Sequence, residues 1–176
     1  EDPAEYRVAK EVDYLAQRGR NLLDLIERIP GQDEPSQEDQ LKKLTKWVGA
    51  VRRICTELGR AEVADVYLGK LLSHAPVGAD RVWPNEAVRD VMEKLQSEAI
   101  SRGAHIGLYN ARGPHWRGEG GDQERELADK YRVWAEALQF THPFLSSTLL
   151  MSMVKTYERE AKERDTEAAI QRRLGA

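Results

Sequence analysis

The spacing of apolar residues constrains this chain more than any other feature. Leu41, Leu44, Val48, Val51, Cys55 and Leu58 follow one another at alternating steps of 3 and 4. Such steps place all six on one stripe of an α-helix. The same rhythm runs through Val8, Val12, Leu15, Gly19, Leu22, Ile26 and Ile29, and through Leu127, Tyr131, Trp134 and Leu138. Shorter stripes comprise Val63, Val66, Tyr67, Leu71 and Leu72; then Val88, Met92, Leu95 and Ala99; then Leu150, Val154, Tyr157 and Ala161. No segment alternates apolar and polar as a half-buried strand would. The expectation is an all-α fold of about six helices, forming an antiparallel bundle or two packed helical lobes. With 176 residues, the chain can bury one substantial core. It is read as a single helical domain over 1–176, with possible lobes at 1–75 and 84–176.

Local chemistry sets the expected boundaries. Pro30-Gly31 ends the first helix, since proline lacks the amide donor and glycine accepts left-handed geometry. Ser36 is a candidate N-cap with Asp39 at the capping-box offset, and Gly59 stands where that helix should close. Pro76 stops the third helix. Pro84 and Glu86 suit the first turn of the fourth, which Gly103 is expected to end. Six glycines and Pro114 fall between Gly103 and Gly121, so 103–121 reads as one long glycine-rich loop with a short helical turn near Ile106 to Tyr109. Asp122 caps the fifth helix. The sixth starts near Thr141, with Pro143 in its first turn. So short a connection makes the last two helices a hairpin.

Composition narrows the function classes. Lys and Arg number 27 against 30 Asp and Glu, for a net charge of -3, and the charges are spread evenly. A nucleic-acid domain concentrates its cations, because phosphate neutralisation supplies most of its affinity. No apolar run approaches a membrane span, and the charged N-terminus does not resemble a signal peptide. The chain opens on Glu1 rather than Met, as a piece of a longer polypeptide would. Cys55 is the single cysteine, which excludes an internal disulfide and a Cys-rich zinc site, and fits a reducing cytoplasm.

Residues able to carry chemistry are few. His74, His105, His115 and His142 show no metal-ligand spacing. Cys55 falls on an apolar stripe, where a thiol is a small core residue. No GxSxG elbow occurs. Gly118-Glu119-Gly120-Gly121 lacks the lysine and hydroxyl of a phosphate loop, and Asp122, Glu124 and Glu126 would repel an anion there. No cofactor, metal or catalytic residue is expected. A deep pocket gathering His105, His115 and carboxylates would instead favour an enzyme. The sharpest feature is RGPHWR, in which Arg112, His115, Trp116 and Arg117 sit together on the expected loop. Arg and Trp are enriched at interface hot spots, and both can pair with phosphate or stack on bases. Alternatively, Trp116 folds into the core and the arginines pair with local carboxylates.

The stretch from Trp83-Pro84 through GLYNARGPHWRGEGGDQERELADKYRVWAEAL to YEREAKERDTEA resembles a C-terminal helical segment of large, multidomain bacterial proteins, some of which serve in defence against phage. The likeness covers roughly residues 44–174 and is strongest at 107–138. It implies a module attached to a larger machine and transfers no catalytic residue. The reading is therefore a non-catalytic helical interaction or scaffold module. Its partner would be another domain of the parent protein, a separate protein or a second copy. The alternative is a nucleic-acid-binding accessory domain using the Arg/His/Trp patch.

Overall fold

The computed structural model describes Tyr14, residues 26–113 and residues 120–175. The stripe from Val8 to Leu22 and the residues His115, Trp116 and Arg117 lie outside that description. The described chain is all-helical. Its elements are α1 (Gln37–Glu57), α2 (Ala61–Leu72), α3 (Glu86–Leu95), α4 (Glu98–Asn110), α5 (Asp122–Leu138) and α6 (Met151–Leu174). A π-helical stretch, Leu145–Leu150, leads into α6.

Several expected boundaries hold. Ser36 Oγ accepts from the Asp39 amide at 3.1 Å and donates to its carboxylate at 2.6 Å. The end of α1 is a Schellman turn. Gly59 takes φ 69, and the Arg60 amide donates to the Cys55 carbonyl at 2.7 Å. The α5–α6 hairpin is present, and Leu150, Val154, Tyr157 and Ala161 are all buried.

Three expectations are corrected. Residues 26–29 are not helical; at Ile29, the proline that follows disfavours α geometry. The fourth helix does not run unbroken to Gly103. Gln96 adopts a left-handed conformation with φ 45, and Ser97 starts a new helix by accepting from the Ile100 amide. Finally, residues 103–110 are helix rather than loop.

The physical reason for that last correction lies in the packing. Gly103 and Gly107 face α2 in a crossing so close that no side chain fits. A Cβ at Gly103 would lie 2.0 Å from the Val66 carbonyl oxygen, and one at Gly69 would lie 2.0 Å from that of Ile100. One at Gly107 would meet Ser73 Oγ at 2.1 Å. The glycines serve close approach, not chain reversal. Beside the crossing, Leu68, Leu72, Ile100 and Ala104 are buried. They join one continuous core that extends from Ile29 to Tyr157.

Two polar clusters fix the connections. Arg52 of α1 forks onto Asp65 of α2 at 2.9 and 3.1 Å. The same carboxylate accepts from Ser97 Oγ at 2.7 Å, so one buried group ties α1, α2 and the start of α4. Buried Arg89 donates to Asp80 and to the Pro84 and Val82 carbonyls. Its guanidinium holds the Asp80 carboxyl down at about 2. Trp83 is buried and donates to the Ala75 carbonyl at 2.9 Å, anchoring the loop as its position before Pro84 suggests. The α3 carboxylate Glu93 accepts from the Phe144 and Leu145 amides, capping the π-helical turn from a neighbouring helix.

A methyl group at the crossing tests this account. Alanine favours an isolated helix over glycine by about 1 kcal/mol, yet Gly103→Ala should destabilise the protein by about 1–3 kcal/mol through overpacking. Urea unfolding measures it, and unchanged or increased stability would contradict the crossing.

Candidate functional site

Of the residues singled out by the RGPHWR motif, Arg112 is placed, two residues beyond the end of α4. Its side chain is 16% exposed and pairs at 3.1 Å with Glu124, which is 2% exposed. The guanidinium also lies over the Tyr157 ring, 5.7 Å from its centroid. That ring belongs to an aromatic column. Tyr109 stacks on Tyr157 at 6.2 Å, and Tyr157 on Tyr131 at 5.7 Å. Tyr131 meets Trp134 edge-on at 5.4 Å, and Trp134 meets Trp83 at 6.3 Å. Arg112 thus flanks, at Tyr157, a column joining α4, α6, α5 and the 76–85 loop. This geometry pairs its charge within the fold, as the carboxylate-pairing reading of the motif has it. A buried charge stripped of its partner is costly.

The histidines are scattered. His74 is exposed. His142 bonds to Asp90 at 2.9 Å and to Thr141. His105 lines an open cleft of about 320 Å³ between α4 and the π-helical end of α6, with Glu98, Ser101, Arg102, Thr148 and Ser152 on the walls. Its Nδ1 lies 2.8 Å from Ser152 Oγ. Because Ser152 Oγ already donates to the Leu149 carbonyl at 2.8 Å, it accepts from His105 Nδ1–H. Nε2 is then the acceptor that faces Thr156 Oγ1 at 3.4 Å. The serine proton points away from the imidazole, which is the reverse of a nucleophile activated by its base. Burial, reinforced by the Arg159 charge, holds the imidazole below its ordinary 6.5. No three metal-ligating side chains converge among the described residues.

The second face of α1 lies outside the RGPHWR motif. Leu44 and Val48 are buried. The adjoining stripe of Trp47, Val51, Ile54 and Leu58 also steps by 4, 3 and 4. Trp47 and Val51 are half-buried and pack on the core, whereas Ile54 is 48% and Leu58 67% exposed. The neighbouring Val63, in the first turn of α2, is 53% exposed. The signal was present in the sequence. Helical apolar residues here occupy more of the circumference than one packing partner can cover, and Ile54 is the residue that widens the stripe.

No protein-family model matches the chain, and neither does any curated protein or solved structure. None of the helices described is long and apolar enough to cross a membrane.

Two measurements check these assignments. Glu124→Ala leaves Arg112 buried and unpaired, so it should lower unfolding free energy by about 3–5 kcal/mol; a change near zero in urea unfolding would return Arg112 to the surface. His105 has a folded-state pKa below its unfolded value, so the folded form binds fewer protons. Stability should therefore fall as pH drops from about 7.5 to 5.5, and His105→Gln should flatten that slope. An unaltered slope in the variant would show that the ring is not protected by the fold.

Proposed function

We propose that the chain is a non-catalytic helical interaction module of a larger bacterial protein, and that the second face of α1 is its contact surface. One observation carries the reading: an apolar stripe at helical spacing whose exposure rises towards Ile54 and Leu58. Burying such a side chain contributes about 1.5–3 kcal/mol, and an aromatic anchor such as Trp47 is typical of interface centres. The stripe suits an amphipathic helix laid along α1, which recognises its groove through anchors at the same 3 and 4 steps.

Charge supports a protein partner over nucleic acid. Arg52, Arg89, Arg112, Arg125 and Arg132 each pair with a carboxylate. Their charge is balanced within the fold rather than presented to phosphate. His115, Trp116 and Arg117 stay with the proposal as a second contact, and Arg112 is removed from it. That the module is attached to a larger protein rests on the resemblance read from the sequence alone.

Charged residues placed on the stripe test the proposal. Ile54→Asp with Leu58→Asp should leave the melting temperature within about 3 °C, since both sites are exposed. In affinity capture from the source cells, the variant should lose a stoichiometric species that the unaltered chain retains. Identical captured proteins for both forms would contradict the assignment.

A further inference from the structure

The second face of α1 has a charged border. Lys42, Lys46, Gly49 and Arg53 step by 4, 3 and 4, so they form a second row along the helix, beside the stripe of Trp47, Val51, Ile54 and Leu58. All four are exposed. Lys42 and Lys46 form no ion pair among the described residues. Arg53 meets Glu57 at 3.0 Å, with side chains 66% and 63% exposed. A surface pair of this kind is worth little, so the guanidinium is open to exchange. Lys43, Ala50 and Glu57 occupy the strip between the two rows. Near its middle the surface is low: a Cβ at Gly49 would meet nothing within 4 Å, and Ala50 is exposed.

We infer that the partner of this face is an acidic amphipathic helix, seated over Ala50 with apolar anchors on Ile54 and Leu58 and carboxylates against Lys42, Lys46 and Arg53. The inference rests on reading that face as a docking surface, and it names the chemistry of the occupant. A helix laid along the low strip touches the stripe with one flank and the cations with the other. Opposite charges in register orient such a partner, and a basic helix in the same seat is repelled. An anionic membrane is a poorer match. A helix lying in a lipid surface buries a broad apolar face there, whereas the apolar centre of α1, Leu44 and Val48, is turned into the core. Phosphate contacts of a nucleic acid would engage the cations and leave Ile54 and Leu58 in water. The attraction is also local. The chain as a whole carries a net charge of -3, which does not favour an acidic ligand at long range, so a preference for one reports the α1 row.

Fluorescence anisotropy with the full chain tests the inference, using two labelled synthetic peptides of about 18 residues. Both carry leucine anchors at steps of 4 and 3. One has glutamates along the flank of that stripe and the other has lysines. The glutamate peptide should bind about tenfold more tightly, and the difference should shrink as salt screens the charges. Lys42→Glu with Lys46→Glu should reverse the preference. Lys94→Glu with Lys155→Glu, the same charge change at exposed sites outside α1, should leave it intact. Equal affinity for the two peptides, binding of neither, or the same loss from both double variants would overturn the inference. So would tighter binding to phosphatidylserine vesicles or to a DNA duplex, lost on Lys42→Glu with Lys46→Glu; those outcomes assign the row to lipid or to phosphate. The two readings fail separately. If both peptides bind equally and Ile54→Asp with Leu58→Asp abolishes binding, the docking face stands and only its acidic partner is lost. If that variant binds the glutamate peptide as tightly as the unaltered chain, the apolar stripe is not the seat and the docking face falls as well.

Discussion

Backbone contact between α2 and α4 is the constraint on which the rest of the structure depends. Gly69 and Gly103 let the two helices approach until carbonyl oxygens occupy the space a side chain would fill, and Gly107 makes room for the Ser73 hydroxyl. Close approach places Leu68, Leu72, Ile100 and Ala104 in one dense layer, where each buried atom gains dispersion contacts. It also fixes the level of Asp65, whose carboxylate receives Arg52 from α1 and Ser97 from the start of α4. From that layer the aromatic column carries the packing outward, through Tyr109 and Tyr157 to Tyr131 and Trp134. Arg112, paired with Glu124, flanks it at Tyr157, and Trp83 ends it in the loop that the Arg89–Asp80 cluster holds.

Several buried or half-buried polar groups are committed to holding these elements together. Arg89 spends its guanidinium on a loop, Glu93 on a helix start, and Glu124 on Arg112. His105 and Ser152 form a strut in which Nδ1–H donates to the serine hydroxyl and that hydroxyl donates to the Leu149 carbonyl. The outer face of α1 presents apolar side chains to solvent instead, at Ile54 and Leu58.

Much of the fold was legible because helical spacing and capping chemistry agree. Ser36 with Asp39, Gly59, and the α5–α6 hairpin follow from local rules. Residues 103–110 were not legible as helix, since glycine density signals a loop unless its partner is known. The cue was the spacing itself: Gly103 and Gly107 are four apart, as are Gly69 and Ser73, so each pair occupies one helical face. The break at Gln96 and Ser97 was hidden because Ala99 continues the apolar rhythm of Val88, Met92 and Leu95 through it. Which of the two readings of Arg112 holds was hidden for a related reason. Sequence shows an arginine beside glycine and proline, whereas its burial partner, Glu124, comes from the first turn of another helix. The stripe containing Ile54 was visible but merged with the buried stripe beside it, and only exposure separates the two.

Native-state hydrogen exchange tests the central claim most directly. If the glycine crossing organises the fold, the amides of Leu68, Leu72, Ile100 and Ala104 should be the slowest in the protein and should exchange only through global unfolding. Faster, denaturant-independent exchange at those four positions than in the middle of α6 would show that the bundle is organised elsewhere.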